Sequence, residues 1–252
     1  MAKYSQILSV IILLLAQAPI QAQTVEDTTI APALTEFWEP QVRVVSPGEG
    51  AEPPSDAIVL FDGSNLDEWV SAKDGSPAPW TINADGSMTV VPDSGDIKTR
   101  RLFGDVQLHL EFRTPAEITG DGQGRGNSGV FLQERYEVQV LDNYNNRTYS
   151  NGQAGSIYKQ QMPLVNACRP PGEWQRYDII FQAPRFNKDG VRVSPGTATV
   201  LHNGVLVQNH TVIQGTTEYR GWPKNIAHGP AALKLQDHSN KVSYRNIWIR
   251  EL

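Results

Sequence analysis

Hydrophobic and polar residues alternate with a period of two through much of this chain, in short runs separated by Gly, Pro and Asn. Residues 106 to 113 and 175 to 182 show the alternation clearly, as half-buried β-strands do. Asn203-Gly204 lies between two further runs and is a strong signal for a two-residue hairpin turn. No segment keeps a helical period over three turns. Ten or more short strands with this turn spacing predict an all-β, two-sheet antiparallel jelly-roll sandwich.

The first quarter of the chain departs from this pattern. Residues 1 to 22 combine a positively charged start, a short apolar run and a small-residue cleavage site, which predicts a secretory signal peptide. Residues 23 to 56 are rich in proline and are interpreted as an N-terminal arm, with Phe37 and Trp38 expected to pack on the domain. A single jelly-roll domain is predicted for residues 57 to 252.

Composition narrows the classes of function. The formal net charge of −5 and the absence of Lys/Arg runs argue against a nucleic-acid partner. Cys168 is the only cysteine, so no internal disulfide is possible, and export without disulfides suits a bacterial periplasm or cell surface. No run after the signal segment is long and apolar enough to cross a membrane. We therefore expect a secreted or periplasmic protein without a membrane span.

The stretch from residue 136 to residue 143 places polar side chains in a hydrophobic strand. A period of two puts Glu137 and Gln139 on one face and the apolar residues on the other. Such a polar row is either a solvated surface or the floor of a cleft. Asp142 joins this face only if a β-bulge near Leu141 shifts the count by one residue, and otherwise it belongs to the following turn.

Two further stretches offer polar groups that could bind a ligand. Lys234, Gln236 and His238 alternate with apolar residues and share one face of a predicted strand, although an exposed edge strand shows the same pattern. A Gly-spaced loop carries Arg125 and Asn127, which suit polyol binding, while a plain turn explains the glycines equally well.

Two single residues complete the candidates. Lys159 follows Gly155-Ser156-Ile157-Tyr158, which is interpreted as a strand that begins at a glycine. Glu173 stands beside Trp174, which could give a sugar ring an aromatic platform next to a carboxylate. A Ser-His-Asp order and metal-type spacing such as H-E-x-x-H are absent from the sequence.

Several short motifs follow one another along the domain in a specific order: Leu60-Phe61-Asp62-Gly63, Asn127-Ser128-Gly129-Val130, Tyr136-Glu137-Val138-Gln139-Val140-Leu141-Asp142, Gly172-Glu173-Trp174 with Tyr177-Asp178, and Leu235-Gln236-Asp237-His238 with Tyr244-Arg245-Asn246-Ile247. With these motifs the chain resembles the bacterial 3-keto-disaccharide hydrolase family, from about residue 57 to the last residue. The resemblance implies a concanavalin A-like lectin/glucanase jelly roll. It also implies cleavage of glycosides already oxidised at C3, by hydrolysis or by elimination followed by hydration.

The chemistry of such a substrate gives the candidates roles. A ketone at C3 acidifies the C2–H, so a carboxylate or an imidazole can remove this proton, and we expect Glu137 or His238 to be the base. Lys234 is expected to hold developing negative charge, with Arg245, Arg125 or a divalent metal as further sources of positive charge. The side chains expected to contact the sugar are Arg125, Asn127, Gln139, Asp142, Lys159, Glu173, Gln236 and Arg245.

Two other classes of function remain open for the sequence. A conventional retaining glycosidase on this fold uses two carboxylates about 5–5.5 Å apart. Those enzymes resemble E-x-D-x-x-E, whereas this chain has Glu137, Gln139 and Asp142, and the central amide weakens the match. A non-catalytic carbohydrate-binding module needs aromatic platforms and amides but no base, so carboxylate, Lys and His candidates together favour an enzyme.

Overall fold

The computed structural model describes residues 31 to 252, so the predicted signal peptide and the start of the arm lie outside the described residues. The chain divides after Val44 into two compact units. The described part of the first unit contains a short 3-10 helix, Pro32–Thr35. Phe37 and Trp38 belong to this first unit, and their packing on the domain stays a prediction.

The second unit contains the strands. Fifteen strands are present in this described part of the chain: β1 (Ile58–Phe61), β2 (Trp69–Ser71), β3 (Thr81–Ile82), β4 (Met88–Thr89), β5 (Ile97–Thr99), β6 (Val106–Arg113), β7 (Ser128–Leu132), β8 (Tyr136–Val140), β9 (Gln175–Gln182), β10 (Arg185–Phe186), β11 (Arg192–Ser194), β12 (Gly196–His202), β13 (Val205–Ile213), β14 (Lys234–Leu235) and β15 (Ser243–Glu251). Two further 3-10 turns span Gly122–Gly124 and Ser150–Gly152.

The strands form two antiparallel sheets that pack as a sandwich, which confirms the predicted jelly roll. The larger sheet has the order β13-β12-β9-β6-β15-β4-β3, with β1 paired to β15. The smaller sheet has the order β2-β5-β14-β7-β8, and β10 pairs with β11 in a separate hairpin. Sequence neighbours often lie in different sheets, so the order within each sheet is set by long-range pairing.

The hydrophobic core lies between the two sheets because each strand buries alternate residues. Leu108, Leu110 and Phe112 of β6 are completely buried on the inner face of the larger sheet. Val130 of β7 and Val138 of β8 face them from the smaller sheet and belong to the same cluster. The alternation that fills this core leaves the outer face of each sheet for other side chains.

Residues 45 to 56, assigned to the arm in the sequence, lie within the second unit. The carbonyl oxygen of Ala51 accepts hydrogen bonds from Asn246 Nδ2 and Trp248 Nε1, at 3.0 and 3.2 Å. Asp56 forms a bidentate ion pair with Arg250, with distances of 2.7 and 2.8 Å. This segment is thereby fastened to the last strand. No helix in the described residues is long and apolar enough to span a membrane.

Candidate active site

A row of side chains crosses the outer face of the smaller sheet. Lys98, Lys234, Phe131 and Glu137 are register partners on β5, β14, β7 and β8. Tyr158 extends the row beyond β8, because its backbone N–H donates to the carbonyl oxygen of Glu137 at 3.1 Å. The row therefore runs from the two ammonium groups of Lys98 and Lys234 at one end, through an aromatic ring, to a carboxyl and a phenol at the other.

A cavity of about 600 Å³ opens over the Glu137 end of this row. Six candidates from the sequence line it: Asn127, Glu137, Gln139, Lys159, Gln236 and His238. The volume falls within the range of about 300–1,000 Å³ that is usual for small-molecule sites. The polar face of β8 is therefore the floor of a cleft, which answers the question that the sequence left open.

The Glu137 carboxyl is withdrawn from water at the floor of this cavity, with the residue only 4% exposed. Burial raises the pKa of Glu137 to about 8, since a charged carboxylate loses solvation there. The Lys234 ammonium opposes this shift and the Asp96 carboxylate reinforces it. At neutral pH most of the Glu137 population is protonated, and its ionised form is a stronger base than an ordinary carboxylate.

The Gln139 amide links Glu137 to the far wall of the cavity. One end of the amide lies 3.0 Å from Gln123 Oε1, and the other end lies 2.9 Å from both Ser128 O and Glu137 Oε1. With its nitrogen toward Glu137, the amide donates to an ionised carboxylate. With its oxygen there, the amide would instead face the carbonyl oxygen of Ser128, which is also an acceptor. The nitrogen therefore lies at the Glu137 end, where it donates to Ser128 O and Glu137 Oε1.

Gly129 makes room for the Glu137 carboxyl on the neighbouring strand. A Cβ added at Gly129 would lie 2.6 Å from Glu137 Oε1 and 2.8 Å from Phe131 Cε2. Such distances are well inside van der Waals contact, so any side chain at this position must displace its neighbours. Because the carboxyl is the end of a flexible side chain, it yields more easily than the backbone of the sheet.

We therefore expect Gly129→Ala to fold and to lose activity through displacement of Glu137. Thermal unfolding should show a modest loss of stability, about 1–3 kcal/mol, as usual for overpacking. Turnover should fall at least tenfold, because misplacing a catalytic group by about 1 Å costs this much or more. Gly104→Ala is the matched control, since a Cβ there meets nothing within 4 Å. Full activity of Gly129→Ala would show that the position of Glu137 does not matter.

Lys159 brings a positive charge to the side of the cavity, surrounded by three tyrosines. Its Nζ lies 4.4 Å from the ring centroid of Tyr219, 5.7 Å from that of Tyr158 and 5.9 Å from that of Tyr149. Each distance is within cation–π range. The Tyr149 and Tyr158 hydroxyls are 2.6 Å apart, and burial raises the pKa of both, so they remain proton donors.

Asp142 and Arg125 lie outside the cavity lining and form an ion pair with each other. The β7–β8 pairing runs from Leu132↔Tyr136 to Ser128↔Val140 without a register shift, and Asp142 lies beyond its end. Asp142 Oδ2 accepts a hydrogen bond from Arg125 Nε at 2.7 Å, and Asp142 Oδ1 accepts one from Tyr144 N at 3.0 Å. Asp142 thus caps the turn after β8, as the alternative interpretation of the sequence held.

Three other candidates are placed away from the cavity lining. Lys234 lies in the same row as Glu137, but its ammonium is tied to Asp96 Oδ2 at 2.7 Å, so it acts on Glu137 through the electric field alone. Arg245 belongs to the larger sheet, where it pairs with Glu111 at 2.7 Å. Glu173 is exposed just before β9 of that sheet. The structure does not bring Arg245 or Glu173 to Glu137.

Seven residues that sequence reasoning did not select line the same cavity: Gln123, Gly124, Phe131, Tyr149, Tyr158, Thr217 and Tyr219. Phe131 lies on β7, and the others come from segments before β7, after β8 and after β13 that belong to no strand. Thr217 Oγ1 accepts the backbone N–H of Glu137 at 3.0 Å, which fastens the distant segment to β8. The one feature of the sequence that could have pointed to any of these residues is the position of Tyr158 directly before Lys159.

A divalent metal was one source of positive charge considered in the sequence. Within residues 31 to 252 no group of three or more His, Cys, Asp and Glu side chains is arranged to hold a metal ion. The cavity itself offers one carboxyl, Glu137, and one imidazole, His238. These residues do not fit a protein-held metal of the usual kind, so the chemistry below is assigned to protein groups.

A second cavity, of about 500 Å³, lies against the outer face of the larger sheet. His109 Nδ1 and Asp178 Oδ1 are 2.7 Å apart there, and the His109 ring stacks on Trp248 at 5.0 Å. Arg176 and Arg250 line the same space, but their guanidinium groups are paired with Asp178 and Asp56. Because these charges satisfy one another, we place the active site on the smaller sheet.

The domain is an antiparallel jelly roll with a polar cavity on the outer face of its smaller sheet. Comparison with family models identifies residues 56–250 as a 3-keto-alpha-glucoside-1,2-lyase-like domain. The chain belongs to the 3-keto-disaccharide hydrolase family. The family and the solved relatives make it a carbohydrate-active enzyme.

Solved structures from Parabacteroides distasonis ATCC 8503 show the same fold. One, named a "putative glycosyl hydrolase", is 53% identical with a TM-score of 0.85, and the match covers 89% of this chain and 98% of that one. A second of the same name is 21% identical with a TM-score of 0.56, covering 78% of this chain and 94% of that one. The second shows a shared fold alone. The comparison with curated proteins gave no match.

Proposed function

We propose that this protein cleaves the glycosidic bond of 3-keto glycosides by removing the C2 proton and eliminating the C1 substituent. The observation that carries the proposal is the set of acids in the cavity. Among the described residues that line it, Glu137 is the one carboxyl group, and its pKa is raised to about 8. A single strong carboxylate base suits proton removal next to a ketone.

Among the described residues, this cavity lacks the second carboxylate of a conventional glycosidase mechanism. Such a mechanism requires two carboxylates on opposite sides of the scissile bond. Asp142, the second acid of the β8 stretch, is paired with Arg125 and lines a different surface. The family description, which names a 1,2-lyase acting on a 3-keto-α-glucoside, also supports elimination as the first step.

The elimination can proceed with protein groups alone. The ionised Glu137 takes the proton from C2, and the C–H electron pair forms the C2=C3 bond of an enolate. The enolate then collapses to restore the C3 ketone and form a C1=C2 bond, while the C1–O bond breaks and its electron pair leaves with the oxygen. Addition of water to C1 of this product gives the same sugar as direct hydrolysis.

Two sides of the cavity would support these steps. Asn127, Gln236 and His238 can donate hydrogen bonds to the enolate oxygen and the neighbouring hydroxyls, where negative charge develops. The Lys159 ammonium and the Tyr158 hydroxyl lie on the other wall and can meet the leaving oxygen. We assign Glu137 rather than His238 as the base, because Glu137 is buried at the floor and His238 is exposed at the rim.

Export is part of the proposal and rests on residues 1 to 22. Their charged start, apolar run and small-residue site are typical of a signal peptide. The protein would then act outside the cytoplasm, in the periplasm or beyond. N-terminal sequencing of the protein from its native host should show a chain beginning near Gln23; a full-length chain in the cytoplasm would contradict export.

A direct assay uses a 3-keto-α-glucoside, the same compound with deuterium at C2, and the unoxidised glucoside. We expect cleavage of the keto compounds alone, a slower rate for the deuterated one, and a rate that rises with pH up to about 8 as Glu137 ionises. Cleavage of the unoxidised glucoside at a comparable rate would contradict the proposal. Binding of all three without turnover would favour a carbohydrate-binding module.

A further inference from the structure

A smaller cavity of about 270 Å³ adjoins the active-site cavity. The two share a wall that is formed by Tyr158, Lys159 and Tyr219. Lys159 Nζ donates to the carbonyl oxygen of Tyr219 and also lies over its ring, so the wall is one connected unit. A ligand that fills the active-site cavity and continues across this wall enters the smaller cavity.

The smaller cavity has the mixed surface that a sugar ring requires. Trp222 lines it with 86% of its side chain exposed, which leaves a flat apolar ring in water. Stacking a pyranose on this ring would bury apolar area on both partners. Asn151, Gln214 and Glu218 line the same cavity and can exchange hydrogen bonds with hydroxyl groups. One aromatic platform with polar groups around it matches the two kinds of surface on a sugar.

The loop that carries Trp222 is closed at its base. Thr216 N donates to the carbonyl oxygen of Lys224 at 2.9 Å, and Lys224 N donates to Thr216 Oγ1 at 3.2 Å. Gly215 packs so closely that an added Cβ would lie 2.5 Å from the Lys224 carbonyl oxygen. Because the loop is already ordered, a ligand that stacks on Trp222 loses little affinity to ordering it.

We propose that the smaller cavity binds the leaving-group sugar of a disaccharide or longer glycoside, with this ring stacked on Trp222. The inference rests on the proposed function, which places the 3-keto ring in the larger cavity. The glycosidic bond then crosses the shared wall beside Lys159, whose ammonium lies next to the oxygen that leaves C1. The enzyme is therefore selective for a sugar leaving group over a small alcohol.

Trp222→Ala tests this selectivity. We measure kcat/KM for a 3-keto-disaccharide and for methyl 3-keto-α-glucoside, and we compare the ratio of the two values. Trp222→Ala should lower the ratio about tenfold, because the platform contacts the second ring alone. Trp38→Ala is the matched control, since it removes an exposed Trp that lines neither cavity. An unchanged ratio in Trp222→Ala overturns the inference.

Binding measurements separate failure of the inference from failure of the proposed function. Maltose and methyl α-glucoside are titrated into the wild type and both variants by calorimetry. Maltose binding that weakens about tenfold in Trp222→Ala, and not in Trp38→Ala, supports the subsite even if no 3-keto glycoside is cleaved. Cleavage of both keto substrates with no effect of Trp222→Ala in either assay overturns the subsite and leaves the proposed function standing. If the protein shows neither cleavage of a 3-keto substrate nor preferential binding of maltose, both the subsite and the proposed function are overturned.

Discussion

Glu137→Gln is expected to lower the turnover of a 3-keto glycoside about 100- to 10,000-fold, the usual contribution of a general base. The amide keeps the size of the carboxyl and can still contact Gln139, but it cannot take a proton from C2. Since most of the effect falls on the chemical step, kcat should fall while KM changes little. The measurement is steady-state kinetics at pH 8, with substrate binding checked separately by titration.

Glu134→Gln is the matched control for this loss. Glu134 stands three residues earlier in the turn between β7 and β8 and pairs with Lys98 at 3.1 Å, outside the cavity lining. Its replacement removes a carboxylate from the same part of the sheet and should leave kcat unchanged. If Glu137→Gln kept full turnover, Glu137 would not be the base, and a parallel loss in His238→Gln would move that role to the imidazole.

Glu137→Gln is also expected to stabilise the protein at alkaline pH. The pKa of Glu137 rises from the ordinary 4.5 to about 8 on folding, so between these values the folded state binds more protons than the unfolded state. The free energy of unfolding therefore falls as pH rises from about 4.5 to about 8, and this loss is complete above pH 8. At about 1.4 kcal/mol for each pKa unit, the full effect is several kcal/mol.

The melting temperature of Glu137→Gln should show how much the ionised carboxylate destabilises the folded wild type. At pH 9 Glu137→Gln should melt higher than the wild type by on the order of 10 °C, as several kcal/mol implies for a domain of this size. Near pH 4.5 both proteins carry a neutral group at this position, and the difference should disappear. Glu134→Gln should show no such pH-dependent gain. A Glu137→Gln protein less stable than the wild type at pH 9 would mean that the ionised carboxylate is well satisfied in the fold.

The loss of turnover and the gain in alkaline stability expected for Glu137→Gln have the same physical cause. The burial that disfavours the Glu137 carboxylate in the folded protein is the same burial that makes it a strong base. Gly129 leaves room for the carboxyl, and Lys234 limits the shift without entering the cavity. A gain in stability together with a loss of turnover in one variant is the pattern expected when stability is given up for function.

Much of the fold could be predicted because strand periodicity is a local property. The alternation over residues 106 to 113 puts Leu108, Leu110 and Phe112 on one face, and the structure buries all three in the core. The same count in β8 correctly put Glu137 and Gln139 on the face away from the core.

The site could be predicted only in part, because a period of two gives the face of a strand but not its sheet. Arg245 shows a polar alternation similar to that of Gln236, yet β15 belongs to the larger sheet and residue 236 follows β14 of the smaller one. Asp142 depended on a bulge near Leu141, which is set by how this segment pairs with its neighbour and not by its own sequence. The tyrosines around Lys159 lie on loops, which carry no periodic signal.

The sequence by itself determined the all-β class, the inner and outer residues of the long strands, and the shared polar face of Glu137 and Gln139, since each follows from the geometry of a few consecutive residues. The tertiary structure alone decided which of the other candidates share a cavity with that pair. It brought Lys159 and Tyr219 to one wall and kept Arg125 with Asp142 on another surface. The physical reason is that strand order and loop packing depend on contacts between residues far apart in the chain, which local patterns do not encode.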